Sequence, residues 1–267
     1  MTHESESIRR EAAVQGAAWQ SMHGGYFADA AIAAPLVAAI AQAARHHPPA
    51  VLADLGGGTG FVLEQALAQR CLDGAALINV DLSPRQLEQS RHRRIVQLYR
   101  SADAVTRDDL GAGSGRLMLV MRSLLHYFGR QGLRPFLQHV RSQIRTGEIL
   151  VHQSACFVAA RDAECLNDLY RRMRTEKWYP TLDALREALE QTRWQVLDVQ
   201  AAPPLPLTGA DLARRYQLTA GDVETIGREL TDRFGHMDGV FEPGPTPGNN
   251  AFTAYLHYHI FTCAARP

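Results

Sequence analysis

Residues 52–60 read Leu-Ala-Asp-Leu-Gly-Gly-Gly-Thr-Gly. An apolar run suited to a buried strand (Val51, Leu52, Leu55) stops at the glycines, and a helical pattern opens with Phe61, Val62 and Leu63. Strand, glycine turn and helix in that order bring a nucleotide-like ligand onto bare backbone amides at a helix N-terminus. Glycine suits the turn because a Cβ would block close approach of the ligand and oppose positive φ angles. Two carboxylates frame it. Asp54 precedes Gly56 by two positions, and Asp81 closes the apolar run Leu77-Ile78-Asn79-Val80. The second acid stands at about the twenty-residue spacing of a carboxylate that grips ribose hydroxyls.

The glycine spacing narrows the ligand. A dinucleotide fingerprint, G-x-G-x-x-G, would need glycine where Phe61 or Leu63 stands, so a nicotinamide dehydrogenase is disfavoured. The spacing present is G-x-G-x-G (Gly56, Gly58, Gly60) with Asp54 ahead of it and Gly57 inside it. This D-x-G-x-G-x-G arrangement resembles the first motif of class I S-adenosylmethionine-dependent methyltransferases of the small-molecule type. That cofactor has no phosphate; it carries a cationic sulfonium and an ammonium group, which a carboxylate such as Asp54 attracts and a pyrophosphate site would not. The resemblance implies that Asp81, with Leu82 beside it, holds the ribose. It further implies that Asp103, in Ser101-Ala102-Asp103-Ala104 just past a third strand, takes the adenine amino group, with Ala102 and Ala104 alongside. Arg122, after the fourth strand, joins the implied cofactor site.

Methyl transfer is an in-line displacement, so much of the catalysis can come from alignment of the reactants. A base is needed only where the acceptor must first lose a proton. His126, in Arg122-Ser123-Leu124-Leu125-His126-Tyr127-Phe128, is the candidate. The segment is similar to one in plant and polyketide-tailoring O-methyltransferases, where a His at this place deprotonates a hydroxyl. There the His is followed by Asp-Trp, and here by Tyr127-Phe128; the alternative is a His that packs beneath the cofactor. His152, following the fifth strand, together with Tyr26 and Trp19 in an aromatic cluster near the N-terminus, are candidates for contact with the acceptor. His257 and His259 share a strand face, but no third ligand accompanies them, and no metal site is expected.

The elements that must position these residues follow from the pattern. Strands are expected at Val51–Leu55, 77–80, Ile95–Tyr99, Leu117–Met121, Ile149–Val151, Trp194–Val199 and Thr253–Cys263, alternating with helical segments. A short helix capped by Ser83 and opened by Pro84 should run to about His92. The fold class is α/β, a Rossmann-like doubly wound seven-stranded sheet, mostly parallel with an antiparallel last strand, plus a helical cap. We divide the chain into an N-terminal helical cap segment (1–48), a cofactor-binding core (49–200), a helical lid insertion (201–251) and a final core strand (252–267). The insertion opens on Pro203, Pro204 and Pro206, holds two helices and ends in a Gly/Pro/Asn loop; so long a connection is expected to serve the site.

Composition bounds the partners. The 267 residues carry 28 basic and 28 acidic side chains. With no net charge, no nucleic-acid or anionic membrane partner is expected. The runs Arg91-Arg93-Arg94 and Arg171-Arg172-Arg174 read as solvated helix faces, and Asp108 and Asp109 as solvated acids. Four cysteines without C-x-x-C spacing fit a reducing compartment, and no signal-peptide core opens the chain; a cytoplasmic location is expected. The oligomeric state is open, a homodimer included. Two functions fit. One is S-adenosylmethionine-dependent methyl transfer to a small-molecule acceptor, at oxygen or nitrogen, in secondary metabolism. The other is a cofactor-binding protein on the same fold with a rearranging, structural or sensory role.

Overall fold

A computed structural model describes residues 22–90, 92–244 and 251–267. Three strands, β1 (Val51–Leu55), β4 (Leu117–Arg122) and β5 (Ile149–Ala155), are buried along their whole length. Burial along the whole length is the mark of parallel strands covered on both faces. With β2 (Ala76–Asp81) and β3 (Ile95–Tyr99) they form the parallel part of a sheet ordered β3-β2-β1-β4-β5-β8-β6. The chain winds outward from β1 to β3 and returns to β4 on the other side of β1. That reversal opens a crevice at the C-terminal ends of β1 and β4, the place where open α/β sheets bind ligands.

β8 (Phe252–Ala265) lies antiparallel to β5 and to β6 (Trp194–Thr208). Seven strands are expected from the sequence; the eighth is β7 (Phe241–Pro243), a short strand paired to β8. β6 outruns its expected end at Val199 and carries Pro203, Pro204 and Pro206 inside it. It is an edge strand, where proline's missing N–H need not break a ladder, and the register shifts between Ala202 and Leu205.

Helices cover both faces. On one, α1 (Ala30–His46) and α2 (Phe61–Leu67) bring Leu36, Ile40 and Leu63 onto Leu52, Leu77, Met118 and Ile149. On the other, α4 (Gly129–Ser142) and α6 (Leu182–Gln191) bring Phe136, Leu137, Leu185 and Leu189 onto Ala53, Leu119 and Leu150. Between β2 and β3, α3 (Pro84–Leu87) is capped by Ser83 as expected but stops well before His92. Asp29 caps α1, accepting hydrogen bonds from the amides of Ala31 and Ile32.

A third apolar cluster builds the cap. α5 (Ala160–Arg172), α7 (Gly209–Tyr216) and α8 (Ala220–Phe234) join β7, the first half of β8, and Tyr26 and Phe27 from the N-terminal side. Arg171 and Arg172 are not simply solvated: both pair with buried Asp168, which also receives Arg233 from α8. Asp109, at the surface, is likewise not simply solvated. It accepts hydrogen bonds from Arg100 and Thr106, which hold it down to about 2. Among the described residues no helix is long and apolar enough to cross a membrane.

Candidate functional site

The glycine turn has the geometry its spacing demands. Gly56, Gly58 and Gly60 have φ of +68°, +58° and +78°, left-handed values that side chains with a Cβ rarely adopt. Gly57 answers to close approach instead. A Cβ there would press on Asn79 Oδ1 and lie 2.7 Å from Asp54 Oδ2. Asp54 and Asn79 are register partners on β1 and β2, so their side chains leave the same face of the sheet side by side. Asn79 ties the turn down from beneath, donating to the Gly58 carbonyl and to Gln97 Oε1, each at 2.9 Å.

Asp54 is fully buried, and neither of its oxygens has a hydrogen-bond partner among the described residues. Burial is the main cause that pushes its pKa up to about 8; the Asp81 charge adds to the rise and Arg122 opposes it. Asn79 Oδ1 beside it also lacks a partner. A buried, unsatisfied carboxylate is costly unless something meets it. Asp81 is differently placed. Its Oδ2 accepts from the Gly58 amide at 2.9 Å and its Oδ1 from the Ser83 amide at 2.8 Å, so it locks the turn to the end of β2. Burial still raises its pKa against those hydrogen bonds. Leu82 is exposed next to it; Ala102 is buried, whereas Asp103 and Ala104 are exposed, the Asp103 carboxylate accepting from the Ser101 hydroxyl.

Arg122 ends β4 on the face that carries Asp54, in register with Gln153. Its guanidinium donates to the carbonyls of Phe27 and Tyr26 and lies over both rings, 5.3 and 5.6 Å from the centroids. Among the described residues, Nε of Arg122 and Oε1 of Gln153 are buried without partners. The next residue, Ser123, has φ of +57° and shares a 2.6 Å hydrogen bond with the Tyr258 hydroxyl. Tyr26 stacks on Tyr258 and donates its own hydroxyl to the Pro203 carbonyl at 2.5 Å.

His126 lies in the 3-10 turn Leu125–Phe128, its ring 4.3 Å from that of Tyr127 and stacked on Tyr179 at 5.3 Å. Burial holds its pKa well below the ordinary value, and the nearby charges of Lys177 and Arg215 depress it further. An imidazolium is therefore opposed by burial first and by two nearby charges, which weakens the ring as a proton acceptor. His152 departs from expectation. It does not follow β5 but lies inside it, because the strand extends to Ala155. The ring is fully buried, stacked on Phe261 at 4.7 Å, with Nδ1 2.9 Å from Ser154 Oγ; burial lowers it to about 3. Its neighbours in register, Met121 and Phe261, belong to the core on the face opposite Asp54. Trp19 lies outside the described residues. His257 bonds to the Gly239 carbonyl, and His259 to the Cys156 thiol.

Several residues of the site carry no mark in the motif analysis. Asn79 has a usable signal, as an amide inside the apolar strand run Leu77-Ile78-Asn79-Val80. Lys177 and Arg215 have none, because only tertiary packing of the cap brings them near His126, and Tyr258 arrives through the pairing of β8 with β5.

No family model matches the sequence, and no curated protein matches it. Solved structures do. The YcgJ protein of Bacillus subtilis superposes with a TM-score of 0.62 at 13% identity, over 87% of this chain and 98% of that one. A putative methyltransferase of Bacillus halodurans gives 0.61 at 12%, over 81% and 93%. The 1,6-didemethyltoxoflavin-N1-methyltransferase of Burkholderia thailandensis, solved with 1,6-didemethyltoxoflavin and S-adenosylhomocysteine, gives 0.52 at 18%, over 97% and 90%. At such identities the likeness is one of fold: this chain has the Rossmann-like methyltransferase fold.

Proposed function

We propose that the chain binds S-adenosylmethionine at the glycine turn and transfers its methyl group to an oxygen or nitrogen of a small molecule, in secondary metabolism. One observation carries the reading: the buried Asp54 carboxylate, unpartnered at both oxygens among the described residues, beside a turn that a single Cβ would fill. The donor set fits an amino-acid end. Asp54 would take an ammonium and Arg122, through its unpartnered Nε, a carboxylate, so that two buried opposite charges meet a zwitterion. Asp81 keeps lone pairs on both oxygens for ribose hydroxyls while its amide partners hold it still. Asp103, exposed past β3, would accept from the adenine amine.

When bound, the cofactor supplies an electrophilic methyl carbon on a sulfonium that leaves as a neutral thioether. Everything else falls to the chain. The glycine turn and Asp81 fix the ligand against β1 and β2, while Arg122 pins Tyr26 and Phe27 over the crevice. Exclusion of water and alignment are what these residues contribute. His126, held neutral by burial and packed against Tyr127 and Tyr179, acts here as a wall of the acceptor side, and Tyr26 lies on the cofactor side.

Thermal unfolding with and without ligand tests the cofactor. S-adenosylmethionine or S-adenosylhomocysteine should add about 2.7 kcal/mol at a hundred times its dissociation constant, and NAD should add nothing. A shift with NAD alone overturns the assignment. Mass spectra of extracts incubated with the protein and an isotopically labelled methyl donor test the transfer. A labelled methylated product identifies the acceptor; cofactor binding with no labelled product in any extract favours the non-methylating alternative.

A further inference from the structure

The outer face of α1 differs from those of other covering helices. From Ala30 to Ala41 it carries no polar side chain; Gln42 is its first. A surface helix ordinarily turns a polar face outward, as α4 does with the exposed Arg130 and Arg134, and α8 with Glu224 and Arg228. On α1 the exposed positions before Gln42 are Ala30, Ala31, Ala34 and Ala38. Beside them runs a groove of about 400 Å³, whose second wall is Gln65, Ala68 and Gln69 at the end of α2. From α1 the groove takes Ala30, Ala34, Val37, Ala38, Ala41 and Arg45. This set maps onto itself. An antiparallel two-fold axis between Val37 and Ala38 exchanges Ala30 with Arg45, Ala34 with Ala41, and Val37 with Ala38. A patch of that symmetry is what an isologous dimer requires, since there one surface meets its own copy. The ends are complementary in charge. Asp29, exposed at the start of α1, spends Oδ1 on the amides of Ala31 and Ile32. Arg45 is exposed at the other end, about 24 Å along the helix, and among the described residues nothing pairs with its guanidinium.

We propose that this groove docks a second copy of the chain, with the two α1 helices packed antiparallel about that axis. The inference is independent of the methyl-transfer reading. Alanines let helix axes approach to about 8 Å, the near end of the usual range, so each α1 fills the groove of the other and the apolar face leaves water. The same arrangement sets Arg45 of the partner subunit against Asp29, where Oδ2 accepts from the guanidinium. The axis repeats that pair at the other end. The contact is about one helix wide, smaller than a permanent interface, so the dimer is reversible. With no net charge on the chain, no long-range repulsion opposes association.

Sedimentation velocity of the full chain over a wide range of concentration is the test, and it should show a reversible monomer–dimer equilibrium. Ala38→Glu brings two like charges together at the axis and should leave monomer alone. The position is exposed, so the fold is expected to survive the change. Arg45→Glu should weaken the dimer at least about tenfold, and Arg45→Lys should largely keep it. Asp29→Asn, which preserves the cap of α1, should weaken it too. Added salt should weaken the wild-type dimer and strengthen that of Arg45→Glu, because screening removes an attraction in the first and a repulsion in the second. Monomer at every concentration overturns the inference. So does a dimer that Ala38→Glu and Arg45→Glu both leave intact, since its contact then lies elsewhere. The Arg45 variants and the salt dependence of the wild-type protein decide the matter even where Ala38→Glu does not fold.

Discussion

The two ends of the sheet bury polar groups in opposite ways. At the N-terminal end, Glu148 accepts from Arg107 at 2.7 and 2.9 Å and from the amides of Leu117 and Arg145 at 2.8 and 2.6 Å. Arg107 spends its other donors on the carbonyls of Gly113, Gly115 and Gln143. Burial would raise the Glu148 pKa, but these hydrogen bonds outweigh it and the carboxyl sits below its ordinary value. At the C-terminal end, Asp54, Asn79, Arg122 and Gln153 each keep a buried atom without a partner, and Asp54 is raised to about 8. A satisfied network rigidifies; an unsatisfied one is tolerated where a ligand completes it. The same sheet thus carries a structural clamp at one end and a preorganised receptor at the other.

Removing the clamp should cost the most. Glu148→Ala leaves the partly buried Arg107 without its carboxylate and is expected to destabilise the fold by up to about 3–5 kcal/mol, the scale for breaking a buried ion pair. Chemical denaturation checks it. The native pKa is depressed, so this stability is present above the unfolded carboxyl's pKa and is lost as pH falls through the lower, folded value. A loss under 1 kcal/mol would erase the contrast between the two ends.

At the receptor end the expectation inverts. Asp54→Asn keeps shape and removes charge, so S-adenosylhomocysteine affinity should fall by about 1.5–3 kcal/mol while the free protein is no less stable at pH 7–9. The sign follows from the raised pKa. Above the unfolded carboxyl's value the denatured chain ionises freely and the native Asp54 does not, so stability is lost progressively up to pH about 8. The asparagine variant escapes that loss. Calorimetry for binding and denaturation for stability separate the two effects, and an unstable variant with normal affinity would make Asp54 a structural residue.

How much of this is legible in the sequence follows from how local each cause is. The glycine turn is legible because φ and close approach dictate glycine at fixed positions, and the structure places Gly56, Gly57, Gly58 and Gly60 accordingly. Asp54 and Asp81 are legible from spacing, but the sequence does not distinguish the unpartnered acid from the one that clamps the turn. That difference is a matter of register between β1 and β2. His152 misleads because three apolar residues suggest a strand ending at Val151; pairing with β8 carries β5 on through a polar stretch to Ala155. The prolines of β6 mislead in the same way, since a strand's edge position is set by the fold and not by its own residues. Lys177, in the coil after α5, and Arg215, on α7, are brought near His126 only by tertiary packing and have no local signature.

His126 lies between the two regimes, close to the crevice yet packed like core. Truncation should act on packing before chemistry: His126→Ala removes a ring packed against Tyr127 and stacked on Tyr179 and is expected to destabilise by about 1–3 kcal/mol. Turnover with the identified acceptor should fall less than tenfold, and its pH profile should keep its shape, since a ring held neutral by burial and two cations titrates well below neutral pH. A loss of about 10²–10⁴-fold in turnover with unchanged stability would restore the base role to His126.

The finest test of the comparison is a proton count. If Asp54 is neutral in the free protein below pH 8 and ionised when an ammonium group lies against it, binding S-adenosylhomocysteine at pH 7 must release close to one proton from Asp54 to solvent. Calorimetry in buffers of differing ionisation enthalpy reads that proton directly. Between pH 6 and 8 affinity should rise by up to about 1.4 kcal/mol per pH unit, tenfold at most, and level off above the Asp54 pKa. Glu148 and Asp109, depressed well below this range, contribute nothing to the slope. In Asp54→Asn both the released proton and the slope should vanish while weakened binding persists. An unchanged slope in that variant would assign the proton to another group, and Asp54 would then be ionised in the free protein despite its burial.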